Sequence, residues 1–224
     1  MFSDFVQNPL ALWSQLMVYS RKPLSRALPL AIPTTRLQRK IEADQYRRAA
    51  QTEEIDFVVF LAGPFIEPDD ESKSNHSAAS ILRYRLFHLL AGAGFEVSLG
   101  EYRALIEAYK GELGEHHNAA VAELDHAQQG ASLVIMIPDS PGSFAEFGAF
   151  SMKEDICKKM IILSDINHSA STGYLNTGPV ACARSLGSEV NYIDYNDVDG
   201  CYAAVKKFSD RVKSKMLLNM RLRA

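Results

Sequence analysis

Residues 138–150, Pro-Asp-Ser-Pro-Gly-Ser-Phe-Ala-Glu-Phe-Gly-Ala-Phe, directly follow an unbroken apolar run at 133–137, so Glu146 stands just beyond a turn rich in Gly, Ser and Pro. An apolar run without alternation predicts a strand buried on both faces. Its exit turn is then expected to open a helix, with Ser143 as the cap, Gly142 allowing close backbone approach to a ligand, and Glu146 in the first turn. The free amides of such a helix start favour anions, and the place is the carboxyl edge of a parallel sheet. A capping box, Ser143 as N-cap with Glu146 three residues on, is the purely structural alternative. His116, His117 and His126 invite a metal reading, but no Cys/His/Asp set stands at ligand spacing, and no metal site is predicted. Arg83 and Arg85 could neutralise phosphates; a solvated helix face is the expected role for both.

The elements that must hold Glu146 in place can be read around it. After residue 54, short apolar strands alternate with longer helical stretches, predicting an α/β fold of the Rossmann or flavodoxin-like, doubly wound kind with about five parallel strands. Strands are expected at 55–61, 95–99, 133–137, 160–163 and 190–195. Helices are expected at 77–91, 115–129, 144–158 and 200–216, the first with Ile81, Leu82, Leu86, Leu89 and Leu90 on its inner face. Ala62-Gly63-Pro64 ends the first strand in a tight exit at the crevice. The polar stretch 164–177 is long enough for a lid or specificity loop, and a short helix follows it up to Gly187.

Residues 1–54 do not share this alternation. They read as a basic helical N-terminal arm on an α/β domain spanning 55–224. Eight basic against three acidic residues give positions 1–50 a net +5, so the remainder carries −8 of the overall −3. A broad apolar stripe at 9–19 asks for a cover, either its own domain or a partner, and an oligomer or complex subunit is expected. A second basic cluster, Lys206, Lys207, Arg211, Lys213, Lys215, Arg221 and Arg223, could meet nucleic acid, though solvated charge is the commoner role. Cys157, Cys182 and Cys201 lack disulfide or metal spacing and read as small buried residues in a reducing compartment. Nothing resembles a signal peptide or a membrane span, so a soluble cytoplasmic protein without membrane association is expected.

Val-Val-Phe-Leu-Ala-Gly-Pro-Phe at 58–65, an acidic helix position ahead of the third strand, and Asp-Ser-Pro-Gly-Ser-Phe-Ala-Glu-Phe-Gly-Ala-Phe at 139–150 together resemble the nucleoside 2-deoxyribosyltransferase-like proteins. These are related to the TIR and SLOG folds. Within that group the chain is most similar to the effectors encoded beside retron reverse transcriptases, which serve in bacterial anti-phage defence. The resemblance spans roughly residues 55–200 and leaves the N-terminal arm out. It implies that Glu146 is the catalytic carboxylate that attacks the anomeric carbon and that Gly63 and Pro64 border the sugar and base. Asp125 is the nearest match to an aspartate that contacts the base, although its spacing to Glu146 is shorter than in true transferases.

Breaking an N-glycosidic bond builds positive charge on the ribose, which a carboxylate beneath the anomeric carbon can stabilise or trap as an ester. Glu101 and Tyr102, just past the second strand, could bind ribose hydroxyls or the base, with surface placement as the alternative. Gly142 and Ser143 would hold a phosphate or ribose hydroxyl. The expected activity is that of an N-glycosidase effector acting on NAD⁺ or a related nucleotide as substrate, with no further cofactor. The alternatives are a nucleotide-binding subunit docked on a reverse transcriptase and its RNA–DNA product, and a nucleoside 2-deoxyribosyltransferase.

Overall fold

Strands that are apolar on both sides must be covered twice, and the chain does this with helices drawn alternately from each side of one sheet. The structure, a computed structural model, describes residues 57–101, 107 and 118–223. Five strands, β1 (Val58–Ala62), β2 (Glu96–Ser98), β3 (Leu133–Met136), β4 (Met160–Asp165) and β5 (Glu189–Ile193), pair in the order β2-β1-β3-β4-β5. Every pairing is parallel. The expected doubly wound α/β fold is therefore the one found, with its order reversing at β1 and β3. The N-terminal arm lies outside the described residues.

Among the described residues, the helices with defined bounds are α1 (Glu71–Ser74), α2 (Ala78–Gly92), α3 (Ala119–Asp125), α4 (Pro141–Phe150), α5 (Glu154–Cys157), α6 (Ala181–Ser185) and α7 (Val198–Arg223). Side chains alternate along each strand, so Val59, Leu61, Leu133, Ile135, Ile161 and Leu163 face α2 and α7, where they meet Leu82, Leu86, Leu90, Val205 and Phe208. Phe60, Ala62, Val134, Met136, Met160 and Ile162 face the other way, onto Phe147, Phe150, Ile156, Val180 and Ala183. All of these strand residues are essentially inaccessible to solvent. Cys157 and Cys201 are buried in the two cores and Cys182 is half-buried; none is in a disulfide.

Several element boundaries differ from expectation. The helix expected at 144–158 starts at Pro141 and is broken into α4 and α5. Ser140 caps α4 because its hydroxyl accepts from Ser143 N (3.2 Å) while the Ser143 hydroxyl accepts from Ser140 N (2.8 Å). Pro141 occupies the first helical position, where its missing N–H costs nothing. Glu146 consequently lies in the second turn, and Ser143–Glu146 is not the capping pair. On α2, Leu89 is exposed and Ile81 half-buried, while Arg83 takes a place in the buried stripe. α3 passes into a π-helical turn at His126–Gly130, whose end is closed by Lys159 Nζ donating to Gln128 O (2.8 Å) and Ala131 O (2.6 Å). α7 runs to Arg223, past the expected end at 216.

Gly63 joins β1 to the crevice at φ +155°. A Cβ there would stand 3.0 Å from Ile137 O and 3.2 Å from Arg83 Cδ, so both the backbone angle and the space select glycine. Gly63→Ala is expected to lower stability by about 1–3 kcal/mol in urea unfolding, the range for a side chain forced into such a conformation; an unchanged midpoint would show that the exit of β1 is pliant.

Candidate active site

Arg83 is the side chain around which the crevice is organised. It projects from the buried face of α2 at 1% exposure, and a buried guanidinium must find its acceptors inside the protein. Nε and Nη2 donate to Leu61 O (3.1 and 2.6 Å), and Nη1 donates to Pro64 O (2.7 Å). The same fork reaches both carboxylate oxygens of Glu101, Nη2 to Oε2 at 2.9 Å and Nη1 to Oε1 in a still closer contact. A backbone amide, Ile66 N, also donates to Glu101 Oε1 (3.2 Å). One ion pair thereby ties together the exit of β1, the loop beyond it and the exit of β2. Arg83 is therefore not on a solvated face, as expected from sequence; Arg85 is exposed.

Beside this pair is a cavity of about 430 Å³ at the carboxyl edge where the strand order reverses. Gly63, Arg83, Glu101, Glu123, Gly142, Ser143 and Glu146 all line it. Five of the sequence-predicted residues thus converge: Gly63, Glu101, Gly142, Ser143 and Glu146. Pro64 reaches the site only through the carbonyl held by Arg83. Asp125 does not line the cavity; its place is taken by Glu123, on the same face of α3 as Ala119. Tyr102, His116 and His117 lie outside the described residues. Glu101 is not a surface group, since Arg83 and Ile66 hold it. The Ser143 hydroxyl is committed to the turn, accepting from Asp139 N (3.0 Å) and Ser140 N, and donating to Ser140 O (3.0 Å). Asp139 in turn accepts from Ser77 Oγ (2.7 Å), so the α2 cap and the α4 turn are fastened across the crevice.

Three carboxyl groups around one guanidinium cannot all be ionised comfortably. Burial first, then the charge of Glu123, pushes Glu146 up to about 8, with the Glu101 charge adding to this and Arg83 opposing it. Burial and the Glu101 charge also raise Glu123, against the opposing pull of Arg83. The two carboxyls are hydrogen-bonded, in the sense that keeps the proton on Glu146 and leaves Glu123 the acceptor. At neutral pH the crevice therefore holds a Glu146 that burial and its acidic neighbours keep in the neutral form.

The stretch at 164–177, expected as a lid, does not line this cavity. Asn176 Nδ2 donates to His168 O (2.6 Å) and Ser171 O (2.7 Å), and Tyr192 OH donates to Asn176 Oδ1 (2.9 Å). The segment forms instead a wall of a separate, largely apolar cavity of about 730 Å³ against Phe144, Gly148 and Met152. His126 packs edge-on to Phe60 and its Nε2 shares a hydrogen bond with Ser98 Oγ (2.7 Å), and burial lowers its basicity. No group of three His, Cys, Asp or Glu among the described residues could hold a metal ion. In the C-terminal cluster, Lys206 pairs with Asp210, Arg211 with Glu189, and Lys213 lies over the rings of Phe57 and Phe95. No helix among the described residues is long and apolar enough to cross a membrane.

A parallel α/β domain with an acidic, arginine-anchored crevice at its topological switch point belongs to the broad class of doubly wound folds, which take their ligands at that edge of the sheet. More particularly, residues 83–221 match the family described as STM3845 retron effector protein, and the chain belongs to that family. It is also 36% identical over 61 residues to an Escherichia coli protein named "Retron Ec86 putative ribosyltransferase/DNA-binding protein". That match takes in 27% of this chain and 20% of the relative, so the chain spans about a fifth of that protein's length.

Two outcomes test the electrostatics. Because folding raises Glu146 from its ordinary 4.5 to about 8, its contribution to stability is fully present below pH 4.5 and is lost as the pH rises through 8. Glu146→Gln should flatten the decline in melting temperature over that window and stabilise the protein by about 2–4 kcal/mol at pH 8; parallel profiles for both proteins would contradict the shift. Arg83→Met should cost about 3–5 kcal/mol in urea unfolding by stranding Glu101. Adding Glu101→Gln should recover part of this loss, and a double variant no more stable than the single would exclude a stranded charge as the cause.

Proposed function

We propose that the chain is an N-glycosidase effector of a retron anti-phage system, cleaving the bond between ribose and base in NAD⁺ or a related nucleotide. The convergence of Glu146 with Glu101, Glu123 and Gly63 in one cavity at the switch point is the observation that carries this reading. The family supports the retron role, and the relative's name supports ribosyl chemistry. The resemblance to nucleoside 2-deoxyribosyltransferase-like proteins assigns Glu146 the attack on the anomeric carbon. In that step Glu146 gives up its proton to the departing base or to solvent, a Glu146 oxygen bonds to C1′, and the C1′–N bond breaks with its electron pair leaving on the base. Water then releases the sugar; a nucleoside acceptor would make the reaction a transfer.

The remaining residues have supporting tasks. Glu101, fixed by Arg83, presents a carboxylate edge that can accept from ribose hydroxyls. Gly63 and Gly142 leave room for the sugar to approach the backbone. The surplus of negative charge in the cavity suits the cationic ribose that develops as the bond breaks. The retron's reverse transcriptase and its RNA–DNA product are the partners proposed, and the basic residues at 1–50 are the surface proposed to meet them.

The test is to express the retron with wild-type or Glu146→Gln effector, challenge with phage, and quantify NAD⁺, nucleotides and free bases by mass spectrometry. Base release with loss of a nucleotide pool in the wild type alone is the expected result. Intact pools in both, with protection from phage retained, would replace the enzyme by a docked nucleotide-binding subunit.

A further inference from the structure

The helix that carries Glu146 has a second cavity on its other side. At about 3.6 residues per turn, Gly142, Ser143 and Glu146 fall on the side of α4 toward the crevice. Phe144 and Gly148, one turn apart, fall on the opposite side, and Met152 continues their line past the helix end. These three residues line the largely apolar cavity of about 730 Å³, whose far wall is the segment that follows β4. Small-molecule sites are commonly about 300–1,000 Å³, apolar, with a few placed polar groups.

The lining has the marks of a site built to be filled. Phe144, Met152 and Tyr174 are large apolar side chains left exposed around one hollow, Tyr174 at 82%. Tyr174 is nonetheless seated. A Cβ on Gly178 would stand 3.0, 3.1 and 3.3 Å from three neighbouring atoms of its ring, so glycine at 178 lets the ring rest against the backbone while the remainder stays open. Gly148 lies inside α4, where glycine weakens a helix relative to alanine. A Cβ there would meet nothing within 4 Å, so no neighbour requires glycine, and the missing side chain deepens the cavity.

The far wall is fixed from behind. Asn176 joins His168 O to Ser171 O and is itself held by Tyr192 OH. A π-helical turn at Asn176–Val180, a geometry frequent at functional sites, brings Gly178 and Pro179 to the cavity. Ser171 Oγ accepts from Gly173 N (3.2 Å) and retains an O–H to donate, and His168 adds an imidazole to the lining. No Asp, Glu, Lys or Arg is among the described residues that line this space, so a charged group buried in it would go unpaired.

We propose that this cavity is a second ligand site, separate from the Glu146 crevice, for an uncharged planar heteroaromatic ring of the nucleobase type. The ring stacks on Tyr174 against Phe144, and Ser171 and His168 meet its polar edge. A free nucleoside and the base end of a longer nucleotide both carry this chemistry, with any phosphates left outside in solvent. The site stands whether or not Glu146 is a nucleophile.

The full chain in its Glu146→Gln form, labelled with ¹³C at the methionine methyls, would be titrated with adenosine and with NAD⁺, each of which presents an uncharged adenine. The Met152 signal, assigned by its loss in Met152→Leu, should move saturably with adenosine. Adding Tyr174→Ala should weaken that binding by about ten-fold or more, the scale of a lost base-stacking partner. Adding Gly148→Leu, which fills the hollow, should abolish it. Movement with NAD⁺ as well assigns the site to the base end of a nucleotide, and movement with adenosine alone assigns it to a free nucleoside. A Met152 signal unmoved by either probe, or moved equally in the Tyr174→Ala and Gly148→Leu proteins, would overturn the proposal. So would a signal that moves only when the other retron components are added, which would give the cavity to a protein partner.

Discussion

The guanidinium of Arg83, set into the apolar stripe of α2, has to find every acceptor inside the protein, and those it finds are the carbonyls of Leu61 and Pro64 and the carboxylate of Glu101. The geometry of the crevice follows from that requirement. The exit of β1 cannot drift without stripping a buried cation of its partners, and neither can the exit of β2. Glu101, held in place by Arg83, then adds its charge to the field that raises both Glu123 and Glu146. Arg83 limits that rise without cancelling it, since one positive charge faces three carboxyl groups.

Such a site works against the stability of the fold that holds it. A carboxyl that keeps its proton up to about 8 is one the unfolded chain would ionise far more readily, so the protein gives up stability at neutral pH to keep Glu146 neutral. A purely structural capping glutamate would not be buried against two other acids. The turn that precedes it is rigid for a similar reason: the Ser140–Ser143 box and the Ser77–Asp139 hydrogen bond fix the start of α4 against α2. Preorganisation of this kind is what a site that must stabilise a developing cation requires.

The sheet was legible because its signal is dense. Unbroken apolar strands, separated by stretches of helical period, admit little besides a parallel sheet covered on both sides, and the strands at 58–62, 133–136 and 160–165 fall close to where the sequence puts them. Glu146 and Gly63 were legible from turn chemistry at strand ends. The start of α4 was misplaced because two serines three residues apart can each serve as cap, and Pro141 at the first helical position was the signal in favour of Ser140. Arg83 was misread since an arginine on a helix is usually solvated. Its spacing from Ala79, Leu86 and Leu90 put it in the buried stripe, which was the available clue. Glu123 could not be distinguished from Asp125 by sequence, because which side of α3 faces the crevice depends on packing against α4 and β1.

The ribosyl chemistry proposed for this retron effector turns on a single bond, the one between Glu146 and the anomeric carbon of a nucleotide. Quenching the wild-type protein during turnover and mapping sugar adducts by peptide mass spectrometry tests this most directly. The account predicts a glycosyl ester on the peptide that contains Glu146, absent from Glu146→Gln. An adduct on Glu101 or Glu123, or base release with no adduct on any residue, would contradict it.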